Sequence, residues 1–352
     1  MTLGLYVRRL NQIRFVEGVA RAAHARGHRV LLLLDQRGSR EGPKGEEWPD
    51  PEKVPERWRT WATVLPFDRL HIGLDAIVVP APLGVDPADL PSGAKVYAGL
   101  QTNVTDVTRL AEPWRWSVVY TWSKAWALMG CKPVPPSGQM STFRAIGHPL
   151  ADMLPTIDRA EVRRTFGLPD RPIVLYFPFP FGAHEQPWRL RYLYRWAPWG
   201  DRATVRAVRA FCDRQGAALV VKSRAKTEVP GYLRRAADVV VERDEPGEAT
   251  SLRLLSVADL LVHHLSSGAM EALLVGVPSL YIRPDGWLAY DEHLRLLGSE
   301  FYGTEWRPGA MDIPSRRGWN AGLDATRRAR YLGPEPFAAG QRIVDDLEER
   351  VG

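Results

Sequence analysis

Short apolar runs alternate with amphipathic stretches twice along this sequence, and that alternation restricts the chain to a parallel α/β architecture. In the first half, residues 3–7 read as an apolar strand. Asn11 can cap the helix that follows, whose apolar stripe is Ile13, Val16, Ala20 and Ala23. Gly27 ends that helix, and residues 29–34 form a wholly apolar strand of the kind buried on both faces. Further strands are expected at 75–79, 94–98 and 117–120, with a helix at 123–129. Residues 36–61, rich in Pro, Gly and charge around Trp48, Trp58 and Trp61, read as a loop or short helical insertion.

After the exit at 143–149 the pattern restarts. Helices are expected at 159–166, 201–215, 230–237, 248–256 and 266–275, and strands at 172–177, 218–222, 239–242, 259–263 and 278–282. A helix at 336–349, polar on one face, closes the pattern. A chain of 352 residues suits two cores rather than one. The expected division is an N-terminal Rossmann-like acceptor domain at 1–150, a C-terminal Rossmann-like donor domain at 151–335, and a terminal helix at 336–352 packing back toward the first. Ligands of open parallel sheets bind beyond the carboxyl ends of the strands, so the cleft between the domains is the expected site.

Composition excludes several classes. No stretch approaches the roughly 20 uninterrupted apolar residues of a membrane span, and the N-terminal residues lack a signal-peptide pattern. The expected location is therefore cytoplasmic, or peripheral at the inner face of the plasma membrane. Two cysteines far apart, Cys131 and Cys212, argue against a disulfide framework or a thiolate metal site. Neither metal nor cofactor is expected. The net charge of +6 is compatible with a polyanion, an anionic membrane surface, a phosphorylated substrate or simply an Arg-rich composition.

One segment carries chemistry. Residues 257–282 read VADLLVHHLSSGAMEALLVGVPSLYI, a buried strand, a turn and an apolar helix that opens at Ser266-Ser267-Gly268. Two hydroxyls and the positive end of a helix dipole converge there, which makes an anion site. Gly268 allows close backbone approach to a phosphate. Glu271 stands one turn after Ser267, about 6 Å along the axis, among apolar neighbours, and can accept from the hydroxyls of a ribose. The plain alternative makes Ser266 a helix cap and pairs Glu271 with an arginine.

The order of strand, Ser-Ser-Gly, apolar helix with Glu271, Gly-x-Pro and strand resembles the donor-binding segment of GT-B glycosyltransferases. The likeness is nearest to CDP-glycerol glycerophosphotransferase-like and related surface-polysaccharide transferases, a group that itself resembles the UDP-N-acetylglucosamine 2-epimerases. Residues 11–34, the link Gly147-His148-Pro149 with Asp152, strand 173–178, Val220-Val221-Lys222 and the terminal segment 331–349 with Arg342 and Asp345 fit the same pattern in the same order. The sequence departs from that pattern in carrying Lys222-Ser223-Arg224, Pro178-Phe179-Pro180-Phe181 and Gln101-Thr102-Asn103 where the family commonly has Lys-x-His-Pro, Pro-Thr-Trp-Arg and Gln-His-Gly.

The resemblance implies two Rossmann-like domains with parallel sheets facing across a cleft. It also implies transfer of a glycosyl or polyol-phosphate group from a UDP- or CDP-linked donor to a glycan or lipid-linked acceptor. Phe177, Pro178, Lys222, Arg224, His263, Ser266, Ser267, Gly268 and Glu271 are the expected donor-binding set. Arg8, Arg9, Asn11, Gln101 and Asn103 face the acceptor, and Asp106, Asp75 or His184 supplies the base. The Arg- and aromatic-rich run 188–199 reads as a lid, or secondarily as a membrane contact, and no nucleic-acid partner is expected. A 2-epimerase-like enzyme and a catalytically silent binding subunit are the competing readings.

Overall fold

The computed structural model describes residues 1–37, 49–67, 73–103, 106, 110, 112–130, 142–178, 197–223, 229–242, 247–264, 266–282, 301–306, 321–333 and 337–352. The chain divides into two compact units. One comprises Met1–Pro155, Glu245–Glu248 and Arg328–Gly352, and the other Thr156–Asp244 and Ala249–Arg327.

The first unit holds seven parallel strands: β1 (Thr2–Val7), β2 (Arg29–Leu34), β3 (Thr63–Pro66), β4 (Ala76–Pro80), β5 (Val96–Leu100), β6 (Val118–Thr121) and β7 (Thr142–Ala145), in the order β3-β2-β1-β4-β5-β6-β7. Both faces of this sheet are buried. Leu3, Leu5, Val7, Leu32 and Leu34 enter one core with the apolar stripe of α1 (Ile13–Ala25), while Tyr6, Leu31, Leu33 and Ile77 enter the other. That two-sided burial explains why these strands read as continuous apolar runs. Trp58 lies inside the first core without exposed surface, in the second of two short turns, Pro51–Lys53 and Glu56–Thr60. The segment expected as an insertion is thus partly core.

Asn11 does not cap α1. The chain leaves β1 through a single tight turn, Leu10–Gln12, and the Gln12 Oε1 accepts from the amides of Arg8 at 2.9 Å and Arg9 at 3.1 Å. The terminal helix, expected at 336–349, starts three residues later. Helix α8 (Ala321–Leu332) ends before Gly333, and α9 (Ala339–Val351) begins afresh after Ala338. Helix α9 packs on α1 so closely that a Cβ on Gly340 would collide with the Gly18 carbonyl. The Asp152 carboxylate caps α9, accepting from the amides of Ala339 at 3.0 Å and Gly340 at 2.7 Å. Asp346, fully buried on α9, accepts from the Tyr120 hydroxyl at 2.7 Å and pairs with Arg144 and Arg350.

The second unit repeats the logic with six parallel strands: β8 (Ile173–Phe177), β9 (Ala218–Lys222), β10 (Val239–Val241), β11 (Leu260–His263), β12 (Ser279–Ile282) and β13 (Thr304–Trp306). Their order is β10-β9-β8-β11-β12-β13. Helices α3 (Arg159–Thr165), α4 (Ala197–Gln215), α5 (Gly231–Ala236), α6 (Thr250–Val257) and α7 (Gly268–Val275) connect or flank them. The two cores on either side again take alternate residues, Val174 and Tyr176 in one, Ile173, Leu175 and Phe177 in the other. Helix α2 (Lys124–Gly130) belongs to the first unit. No helix among the described residues is long and apolar enough to cross a membrane.

Candidate functional site

In the second unit the chain runs from β8 outward through β9 and β10, then returns to lay β11, β12 and β13 on the other side of β8. The direction of travel reverses between β8 and β11. At such a switch point the connections leave in opposite directions and open a crevice at the carboxyl ends of the strands. The two strands pair in register up to their last residues, Phe177 opposite His263. The Ser266-Ser267-Gly268 turn leads from that edge into α7.

The turn is held internally at three points. The Ser266 amide donates to His263 Nδ1 at 3.0 Å, its carbonyl accepts from the Ala269 amide at 3.1 Å, and its hydroxyl oxygen accepts from the Gly268 amide at 3.1 Å. The Gly268 amide is therefore not open to a phosphate. The Ser266 hydroxyl proton remains to be donated, because its oxygen is the acceptor in that bond. Ser267 takes the cap position with helical dihedrals, its side chain makes no cap bond, and it is exposed. Gly268 is required by protein packing: a Cβ there would collide with the Phe177 ring. Phe177 is correspondingly core, its ring under the first turn of α7.

His263 has no exposed surface. With Nδ1 accepting, its Nε2 carries the proton and donates to the Tyr302 carbonyl at 2.9 Å. Burial pushes it down to about 3, so the ring is neutral. Both ring nitrogens are engaged within the protein, which corrects its assignment as a direct donor ligand. His264, also buried, is hydrogen-bonded through Nε2 to the Tyr176 hydroxyl at 2.9 Å. Lys222 ends β9, two strands from β11, and is buried with Nζ donating to the Ser223 carbonyl at 3.2 Å. Glu271 stands in the first turn of α7, partly exposed, with its Oε2 buried. Pro178 follows β8 directly at this edge. Arg224, His184 and 188–196 lie outside the described residues.

The candidates of the first unit fare differently. Asp106 is buried, and its carboxylate accepts from the Thr102 amide and hydroxyl at 2.7 Å each, from the Asn103 amide at 2.9 Å and from the Asn103 side chain at 2.8 Å. Burial pushes this carboxyl up while those bonds oppose the shift. Asp106 shapes the 101–103 turn and is not placed to take a proton from an acceptor. Asp75 precedes β4 and accepts from the Thr2 amide at 2.6 Å, at the amino edge of the sheet. That is the edge opposite to the one where ligands of parallel sheets bind.

Gln101, fully buried, bridges the ends of β5 and β6 by accepting from the Trp122 amide at 3.1 Å. Arg8 donates to the carbonyls of Ala81, Leu83 and Gly84 at 3.1, 2.9 and 3.1 Å, clamping the loop after β4 rather than reaching outward. Arg9 is exposed, and Asn11 and Asn103 are partly so. Sequence reading misses a cluster at the carboxyl ends of β1 and β2, buried at Tyr6 and Asp35 and exposed at Arg37. The Tyr6 hydroxyl donates to Asp35, whose carboxylate also binds Arg37 at 2.9 Å, and Arg37 stacks over Phe67 with 4.4 Å to the ring centroid. No spacing rule joins these four residues, since parallel pairing alone brings β1 and β2 together. Among the described residues no group of three or more His, Cys, Asp or Glu is placed to hold a metal ion.

No protein-family model matches the chain, and no curated protein matches it by sequence. Solved structures do match by shape. The wall teichoic acid polymerase TagF superposes with a TM-score of 0.65 at 12% identity, over 99% of this chain and 88% of that one. The S. aureus MnaA-UDP co-structure gives 0.55 at 11%, over 99% of this chain and 96% of that chain. The UDP-GlcNAc 2-epimerase from Methanocaldococcus jannaschii gives 0.54 at 12%, over 99% of this chain and 100% of that one. With two all-parallel sheets matched to these proteins along nearly the whole chain, the fold is GT-B.

Proposed function

We propose that the chain is a GT-B transferase that moves a glycosyl or polyol-phosphate group from a UDP- or CDP-linked donor to a cell-surface glycan or lipid-linked acceptor. The observation that carries this reading is the placement of Ser266 and Ser267. They open α7 at the point where the strand order of the second unit reverses, with one hydroxyl proton directed by Gly268 and the other hydroxyl exposed. A diphosphate there receives two hydroxyl donors and the positive end of the helix. Lys222, at the same sheet edge, adds positive charge as the nucleotide departs, which is the stage at which charge builds on the leaving oxygens. Glu271, one turn below, accepts from the ribose.

Proteins of the same fold support a nucleotide ligand: one structure is of TagF soaked with CDPG and another is of MnaA with UDP. The acceptor, any membrane contact and the location at the inner face of the membrane belong to the proposal. So does the domain assignment, 1–150 for acceptor and 151–335 for donor with 336–352 returning to the first.

An epimerase reading is favoured by 2-epimerase structures among the fold's matches, and would turn over a UDP-sugar with no acceptor present. A silent binding subunit is favoured by the structural engagement of both Asp106 and Asp75.

The test is a thermal-shift panel of UDP, GDP, CDP, ADP and dTDP against the wild type, Ser267→Ala and Glu271→Ala. A ligand at about one hundred times its Kd adds about 2.7 kcal/mol. UDP or CDP stabilising the wild type and not the variants is the expected result. A flat panel sinks the transferase and leaves the silent subunit.

A further inference from the structure

We infer that His263 is a positioning residue: its imidazole fixes the backbone of the Ser266–Ser267 turn in the shape that presents both hydroxyls to the donor's diphosphate. The inference rests on the reading of that turn as the donor site.

Ser266 is the residue whose conformation decides where the two hydroxyls point. Its carbonyl and its side chain are tied forward into α7, to Ala269 and Gly268. The amide alone is tied backward, to His263 Nδ1 at 3.0 Å. Remove that acceptor and, among the described residues, no other hydrogen bond of Ser266 ties the turn back to the strand. Any apolar residue could fill the buried volume at 263. A side-chain acceptor able to reach an amide three residues later is a narrower requirement, and it is met here by a ring nitrogen.

The other side of the ring makes the support rigid. Nε2–H donates to the Tyr302 carbonyl at 2.9 Å, and the same carbonyl receives the Ser279 hydroxyl at 3.1 Å. The adjoining Phe301 carbonyl receives Arg327 Nη2 at 3.1 Å. The imidazole is therefore pinned between the end of β11, the start of β12 and the segment that leads into β13. A ring oriented by a second hydrogen bond has a fixed tautomer, which keeps its lone pair aimed at the Ser266 amide. The charged or titratable neighbours that act on it are His264 and Arg327, and both disfavour its protonation, as burial does.

Two isosteric variants separate the functions of the ring. Asparagine places an oxygen near the Nδ1 position and keeps an acceptor for the Ser266 amide. Glutamine places a donor near the Nε2 position and keeps the bond to Tyr302. His263→Asn and His263→Gln each lose one buried hydrogen bond, so both are expected to melt a few degrees below the wild type. Affinity for UDP and CDP, measured by titration calorimetry, is expected to stay within about threefold of wild type in His263→Asn and to fall about tenfold in His263→Gln. Amide exchange of segment 264–270, measured without ligand, is expected to quicken in His263→Gln alone.

Equal affinity losses in the two variants, or quickened exchange in His263→Asn alone, overturn the inference and make His263 a packing residue. Should the wild type bind neither UDP nor CDP while the exchange contrast persists, the hold of His263 on the turn stands and the donor-site reading falls.

Discussion

Acidification from about pH 7.5 to about pH 5 should weaken this protein through two histidines that never see solvent. His148 and His263 have essentially no exposed surface, and burial lowers each from 6.5 to about 3. The folded chain refuses a proton that the unfolded chain accepts below pH 6.5. Their contribution is accordingly complete above about 6.5 and is lost progressively as pH falls toward about 3. For one such group the linkage integral comes to about 2 kcal/mol at pH 5.

The assay is urea unfolding of wild type and His263→Asn at both pH values. The variant lacks the titrating ring, so its stability deficit relative to wild type should shrink by about 2 kcal/mol at pH 5. Carboxyls that burial pushes up, such as Asp106 and Asp152, act in the opposite direction but are common to both proteins and cancel. If the two units unfold in separate transitions, only that of the unit carrying His263 should flatten. A deficit identical at both pH values refutes the reasoning, because it would mean that the ring is protonated or hydrated in the folded state.

Two further substitutions test structural assignments. Asp106→Asn should cost about 1–3 kcal/mol, since an amide cannot accept all four bonds, while leaving the nucleotide-induced rise in Tm unchanged; a loss of turnover at unaltered stability would reinstate it as a base. Gly340→Ala should cost about 1–3 kcal/mol by forcing α9 off the Gly18 backbone, read as a lower Tm and faster proteolysis within 339–351.

The sheets are legible in the sequence because their strands are buried on both faces. Strands 29–34 and 218–222 have the bounds expected from their apolar runs, and most others lie within two residues of expectation. Three of the four edge strands escape. Thr63–Pro66, Thr142–Ala145 and Thr304–Trp306 are three or four residues long, and each carries at least one polar residue, whereas the fourth edge, Val239–Val241, is apolar throughout and legible. Helix Ala321–Leu332 escapes for a different reason: Thr326, Arg327, Arg328 and Arg330 crowd a stretch with few apolar residues, so no helical stripe stands out.

Of the candidate site, the Ser-Ser turn and its helix are visible as a local pattern, since all their residues are consecutive. The roles of Asp106, Gln101 and Arg8 are not. Each is settled by which backbone groups a loop folds against it, and no residue type signals that. His263 reads as a ligand because a histidine beside a Ser-Ser-Gly turn is written identically whether its lone pair faces a ligand or an amide.

The discontinuity of the first unit has a consequence for how the chain is made. Ile343, Val344 and Leu347 complete the core that Leu3, Val16 and Leu32 begin, and Asp152 has no helix to cap until 339–351 has been synthesised. On the ribosome, the sheet of 1–155 must wait with one flank uncovered while the whole of 156–327 emerges. Contacts so distant in sequence close slowly, and a nascent α/β sheet with an open apolar flank is aggregation-prone in the interval. The unit encoded second is thus free to finish first, and a fragment ending near 155 should behave as a chaperone client rather than as a domain.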